Sequence, residues 1–255
     1  LPMEAYQKKF AELLAECGAL FFFEGLVLKD GRPTPYFVNM GRFRTGKLSY
    51  LLGTYFADKI VHLNLKADVI LGPSYKGSAI ACATACALWL NHQREALFEY
   101  DRKELKHHGE ATASRSLFVN GCLNRDREII IVDDVGTSMA TKYELLEKIN
   151  QEAVRNGVEL KVQGVVLGID REQTRAVYDE EGNVVLGVKG TDAITDFQAK
   201  TELKVYRICG IQEVVNYLFQ TKVLISIDGE LKPLDQRRMD TFNAYLDMYG
   251  TTRSE

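Results

Sequence analysis

No stretch of the 255-residue sequence stays apolar for the length a bilayer-spanning helix requires, and no charged-then-apolar leader precedes a small-residue cleavage site. We therefore expect a cytoplasmic protein with no membrane partner. Positive charge is not in excess either. The formal net charge is -3, so the broad basic field that attracts nucleic acid is missing and no nucleic-acid partner is expected. Cysteine lacks metal-ligand spacing: the five residues, Cys17, Cys82, Cys86, Cys122 and Cys209, are odd in number and are expected reduced and mostly in the core. Neither an internal repeat nor a low-complexity linker interrupts the chain. What is present, 46% hydrophobic and 26% charged residues, sits near the globular average and excludes disorder and fibrous architectures. The length suits one sizeable domain, or one domain with an appendage.

Apolar residues recur at helical spacing in Met3, Tyr6, Phe10, Leu13, Leu14 and Cys17, and again from Leu48 to Ile60, which predicts two amphipathic helices. The run Val69-Ile70-Leu71 stops at Gly72-Pro73 and predicts a buried strand, followed by a helix from Gly77 to Leu90. Further strands are expected at Ala96 to Tyr100, Ile129 to Val132, Val162 to Ile169 and Val205 to Ile208. Helices are expected after Thr141, near Ile211 to Phe219 and near Asp235 to Tyr249. Buried strands alternating with helices indicate an α/β fold with a mostly parallel central sheet flanked by helices, where ligands sit beyond the carboxyl ends of the strands. Glu181-Gly182-Asn183 between short apolar runs suggests an inserted hairpin over Ala176 to Val188.

Chemistry concentrates in IIIVDDVGTSMAT, Ile129 to Thr141, where a buried strand delivers two carboxylates and then a run of small and hydroxyl residues before a helix. Small side chains let backbone N–H groups close round a phosphate, and a helix start adds partial positive charge. Asp133 and Asp134 would repel that phosphate, so they suit sugar hydroxyls a few ångströms away; the bland alternative is a pair of helix-capping or metal-linked carboxylates at a strand end. The whole string resembles the PRPP-binding motif of type I phosphoribosyltransferases, where PRPP is 5-phosphoribosyl 1-diphosphate. On that resemblance Asp133, Asp134, Val135, Gly136, Thr137, Ser138, Met139, Ala140 and Thr141 contact PRPP. Met139 departs from the usual form, in which a glycine is common.

The segment YDRKELKHHGEATAS, Tyr100 to Ser114, lacks a clear period and predicts an exposed, mobile loop whose cations are balanced by Asp101, Glu104 and Glu110. It resembles the flexible catalytic loop of orotate phosphoribosyltransferases. This implies that Arg102, Lys103, Lys106 and His108 contact the diphosphate, with Lys106 stabilising the departing pyrophosphate. LKDGRPTPYFVNMG, Leu28 to Gly41, is similar to the family's orotate and PRPP segment, which implies Lys29 at PRPP and Phe37 and Val38 at the base. GPSYKG, Gly72 to Gly77, implies Tyr75 and Lys76 at the diphosphate. Arg171, in IDRE, implies a bidentate partner for orotate's carboxylate, with Thr137 also reaching orotate.

These motifs stand in the family's order, with fair register from Tyr6 to about Arg171 and a weaker match near Lys204 to Leu218. The resemblance implies transfer of the phosphoribosyl group of PRPP to orotate, giving orotidine 5'-monophosphate and pyrophosphate in pyrimidine biosynthesis. It further implies Mg²⁺ held mainly by PRPP and water, with no direct protein ligand, and a homodimer whose 102–108 loop is shared between subunits. The expected layout is one phosphoribosyltransferase domain with a hood of about 1–45, a core of about 46–210 and a C-terminal appendage of about 211–255. Two rivals remain open: a phosphoribosyltransferase for another base, and a non-catalytic PRPP-sensing regulator. No Asp-x-Lys-x-x-Asp motif is present, so a fused decarboxylase is not expected.

Overall fold

The computed structural model describes residues 3–103, 116–136 and 138–251. Its central sheet has five parallel strands in the order β4-β3-β5-β6-β7, flanked by helices. These strands are β3 (Val69–Gly72), β4 (Leu97–Tyr100), β5 (Arg127–Gly136), β6 (Leu160–Asp170) and β7 (Val205–Gly210). Register is direct across the centre, with Ile70 opposite Phe98 on one side and Ile130 on the other. Val69 to Gly72 and Ile129 to Asp133 are buried without interruption, as expected for strands covered on both faces. This is the α/β fold expected from the alternation of apolar runs.

Contacts divide the chain into two compact units. Unit 2, residues 45–168 and 197–208, holds most of the parallel sheet together with α2 (Gly46–His62), α3 (Lys76–His92) and α4 (Ala140–Asn156). Its core includes Phe56, Ile60, Ile70, Leu88 and Ile130, all essentially inaccessible. Each such side chain contributes about 1.5–3 kcal/mol by leaving water.

Unit 1 is assembled from three stretches, 1–44, 169–196 and 209–255. It contains a second sheet that the sequence reading did not assign, in the order β2-β1-β8-β9, built from β1 (Leu20–Phe22), β2 (Tyr36–Val38), β8 (Leu224–Ile227) and β9 (Glu230–Pro233). β1 pairs antiparallel with β2 and parallel with β8, Phe21 facing Phe37 and Ser226 respectively. Helices α1 (Ala5–Glu16) and α6 (Ile211–Thr221) bury Phe10, Leu14, Val214 and Leu218 in this unit. A short α5 (Ala193–Thr201), also unassigned from the sequence, precedes β7, and α7 (Gln236–Tyr249) ends the described chain with Met239, Phe242, Tyr245, Leu246 and Tyr249 buried.

The segment Ala176 to Val188 makes the expected hairpin in a short form: an antiparallel bridge joins Tyr178 to Val184 around the Glu181-Gly182 turn, with the Val185 N–H donating to the Val177 carbonyl at 2.8 Å and the Asp179 N–H to the Asn183 carbonyl at 2.9 Å. One expectation needs correction. The five cysteines are free, but only Cys209 is buried, while Cys86 is exposed and the others are intermediate. Cys82 and Cys86 lie four residues apart, yet the α3 face they share is not a core face.

Candidate active site

In unit 2 the chemistry gathers where β5 gives way to α4. Asp133 is buried: one carboxylate oxygen accepts the Asp134 N–H at 2.9 Å, and the other is paired with the buried ammonium of Lys142. Burial, with Asp134 alongside, pushes the Asp133 carboxyl above its ordinary value against the pull of Lys142. Asp134 is half-buried; it accepts the Val135 N–H at 2.8 Å and lies 3.2 Å from the Lys76 ammonium. The predicted diphosphate residue and the predicted ribose residue are therefore brought together.

Met139 occupies the left-handed region, φ +61°, at the N-cap of α4, which is the conformation a glycine adopts without strain. Its side chain is 1% exposed, so packing holds it there. Gly136 and Ser138 flank the turn, and Ser138 Oγ accepts the Ala140 N–H at 3.4 Å. Small groups thus precede a helix start, the arrangement suited to a phosphate.

The Gly72 to Gly77 turn is equally constrained. A Cβ on Gly72 would collide with the Gly77 carbonyl, and one on Gly77 would lie 2.5 Å from Pro73 Cδ, so both positions need glycine. Asp101, at the end of β4, anchors the turn: its carboxylate accepts the Ser74 N–H at 2.7 Å and pairs with Lys148. Tyr75 is left 77% exposed, and Lys76 opens α3 with most of its side chain in solvent. Arg102 and Lys103 are exposed just beyond Asp101.

In unit 1 the decisive residue is Arg171, which follows β6. It is 6% exposed, yet Nε and Nη2, the two nitrogens of one guanidinium edge, are buried and have no hydrogen-bond partner among the described residues. A buried charge with unmet donors costs several kcal/mol unless something pairs with it. The geometry of that edge matches a carboxylate. The guanidinium carbon stands 5.2 Å over the Tyr36 ring. Lys29 is exposed in the turn before β2, and Phe37, half-buried, lies 5.9 Å from the Phe21 ring. Val38, 8% exposed, points to the other face of β2 because successive strand residues alternate, so the side chains of Phe37 and Val38 do not form one common wall.

No family model matches the chain. It is 33% identical over 251 residues to an orotate phosphoribosyltransferase of Chromohalobacter salexigens, covering 97% of this chain and 96% of that one. A Kluyveromyces lactis enzyme of the same name is 32% identical over 253 residues, with 98% of each covered. The crystal structure of the Francisella tularensis orotate phosphoribosyltransferase superposes with a TM-score of 0.70 at 26% identity, over 95% of this chain and all of that one. The chain belongs to the orotate phosphoribosyltransferase family.

As an orotate phosphoribosyltransferase family member, the chain carries the motif residues in two separate sets. Tyr75, Lys76, Arg102, Lys103 and Asp133 to Thr141 belong to unit 2, while Lys29, Phe37, Val38 and Arg171 belong to unit 1. Lys106, His108 and Thr137 lie outside the described residues. Lys142 and Tyr36 escaped the sequence reading: a lysine on an amphipathic helix reads as solvated, and a strand tyrosine reads as core. Among the described residues no three His, Cys, Asp or Glu side chains gather as a metal-ligand set, and Asp133 and Asp134 each face a lysine. A cavity of about 380 Å³ opens in unit 1 beside Phe23, Leu26, Pro35 and Met248. It is lined by none of the expected site residues, so the site is defined by the unmet donors of Arg171 rather than by the size of a hollow.

Proposed function

We propose that the chain transfers the 5-phosphoribosyl group of PRPP to orotate, releasing pyrophosphate and forming orotidine 5'-monophosphate, a step of pyrimidine biosynthesis, in the cytoplasm. The observation that carries this reading is the buried, unpartnered edge of Arg171 in a chain of this family. Orotate is a flat heterocycle bearing a carboxylate, and a guanidinium edge binds that group bidentately. Phe37 would offer its ring to the heterocycle.

PRPP falls to the unit 2 residues. The turn from Val135 to Thr141 would take the 5-phosphate on backbone N–H groups, Asp133 and Asp134 would accept from the ribose hydroxyls, and Tyr75, Lys76, Arg102 and Lys103 would take the diphosphate. Lys29 adds a cation toward PRPP. Lys106 and His108 complete the set, Lys106 supplying positive charge where the leaving pyrophosphate gains negative charge. The ribose carbon passes through a state of oxocarbenium character before orotate's ring nitrogen attacks with inversion. The protein contributes position and charge compensation rather than covalent chemistry.

Paired as they are with lysines, Asp133 and Asp134 suit a hydrated cation carried on PRPP's own oxygens, with their remaining acceptor capacity turned to its water shell. When bound, Mg²⁺ supplies charge neutralisation on the diphosphate. The working unit is read as a homodimer that shares the 102–108 loop. The reading is tested by following the loss of orotate's ultraviolet absorbance with PRPP and Mg²⁺, for the wild type and Arg171→Gln. Consumption of orotate, with a KM for orotate raised at least tenfold in the variant, is expected. No consumption by the wild type under any supply of PRPP and Mg²⁺ defeats it.

A further inference from the structure

Arg171 can read a carboxylate only if its fork is held at one angle, and with no ion-pair partner among the described residues the guanidinium must be held by something else. The structure assigns that task to Tyr36, which is fully buried and lies under the guanidinium at 5.2 Å. We propose that Tyr36, braced by the C-terminal helix α7, is the positioning residue that orients Arg171 and thereby sets the preference for a carboxylated base. The inference rests on the reading of Arg171 as the carboxylate partner.

Three observations converge on it. First, the Tyr36 ring is itself held edge-on by two rings of α7, Phe242 at 5.5 Å and Tyr245 at 5.9 Å, with Phe22 of β1 at 6.2 Å on another side. A ring so enclosed keeps its place, and the guanidinium over it has a fixed surface to rest against. Second, α7 also holds the chain just after Arg171, through the Gln173 side chain and the Thr174 backbone. The Tyr245 hydroxyl donates to Gln173 Oε1 at 2.9 Å, and the Tyr249 carbonyl accepts from the Thr174 N–H at 2.8 Å and from its hydroxyl at 3.1 Å. Third, Tyr245 continues to Tyr249 at 5.4 Å, whose ring is faced by Arg32 at 5.2 Å. Arg32 is in turn fixed by two bonds to the Asp30 carboxylate, at 2.7 and 3.2 Å. A row of three tyrosine rings thus runs between two buried arginines, and every ring in it has a polar anchor.

The Tyr36 hydroxyl has a long contact, 3.5 Å, to the Arg171 carbonyl and also meets the Arg171 side chain, so ring and hydroxyl both face the group to be oriented. Burial pushes that hydroxyl's pKa up to about 12, which keeps the ring neutral throughout the working range.

The experiment compares Tyr36→Leu, Tyr36→Phe and Arg171→Gln for kcat and KM toward PRPP, orotate and uracil, the last lacking the carboxylate. Tyr36→Leu is expected to raise the KM for orotate about five- to thirtyfold, leave the KM for PRPP within about twofold and lower the orotate-over-uracil ratio. Tyr36→Phe, which keeps the ring, should retain most of the orotate-over-uracil preference that Tyr36→Leu loses. If Arg171→Gln loses orotate affinity while Tyr36→Leu does not, the positioning role is refuted and the reading of Arg171 stands. If Arg171→Gln itself leaves the KM for orotate unchanged, that underlying reading has failed and the inference goes with it. Equal losses for all substrates in Tyr36→Leu would mark a merely structural ring and overturn the proposal. Should Tyr36→Leu not fold, Phe242→Leu and Tyr245→Leu decide: a lowered orotate-over-uracil ratio supports the proposal, and an unchanged ratio in both rejects it.

Discussion

Lys142 illustrates how one side chain can carry a site without touching a ligand. It is buried against Asp133, and removing one member of a buried pair strands the other as an uncompensated charge, at a cost of about 3–5 kcal/mol. Lys142→Met is expected to lose about that much stability at pH 8 by denaturant unfolding. The pH dependence has a definite sign. Without the ammonium the folded carboxyl rises further above its ordinary 3.8, so over that window the native state holds a proton the unfolded state has released, and the deficit shrinks as pH falls toward 5. An equal deficit at both pH values would mean that Asp133 is not the group left stranded. Met139 sets two effects against each other. Glycine would relieve a left-handed strain of about 1–2 kcal/mol, but it would delete a buried thioether worth about 2–5 kcal/mol. Met139→Gly should therefore destabilise, by about 1–3 kcal/mol on the same assay. The residue types at the turn between β5 and α4 were legible in the sequence because the motif is contiguous. Lys142 and Tyr36 were not, because their importance lies in what they pack against, and a linear pattern does not record that.

Among the elements, α7 carries the largest share of what the sequence reading left unassigned. Its helical spacing was plain, and so was its start, since Asp235 accepts the Arg238 N–H at 2.8 Å as an N-cap. Its role was not, because nothing in the spacing says that its rings meet Tyr36. Asp235→Ala should cost about 0.5–2 kcal/mol in thermal or chemical unfolding, and a change within error would show that the cap is dispensable. The strands of the parallel sheet announced themselves as continuous apolar runs. β8 and β9 did not, being short and half-exposed, although Asp228-Gly229 between them, both at positive φ, is a strong two-residue hairpin signal that could have located them. The glycines at 72 and 77 belong to this scale too. Gly77→Ala should lower the melting temperature and weaken PRPP binding together, because the turn that presents Tyr75 and Lys76 cannot accommodate the methyl group.

At the scale of the whole molecule, the proposed sharing of the 102–108 loop makes a clear demand. A chain carrying Lys106→Ala, mixed with one disabled at Asp133 and Asp134, should recover part of the activity that each lacks alone, since one hybrid site then has both intact halves. Absence of recovery after subunit exchange would place the loop in its own chain's site. Unit 1 carries a different consequence, in the order of its assembly. Its sheet pairs β1 directly with β8, and the Glu24 N–H is bonded at 2.9 Å to Asp228, a partner 204 positions away. While the ribosome is still making the middle of the chain, the inner edge of β1 has no neighbour to pair with. The unit that holds Arg171 can thus be completed only late in synthesis, whereas β3, β4 and β5 are already available to one another.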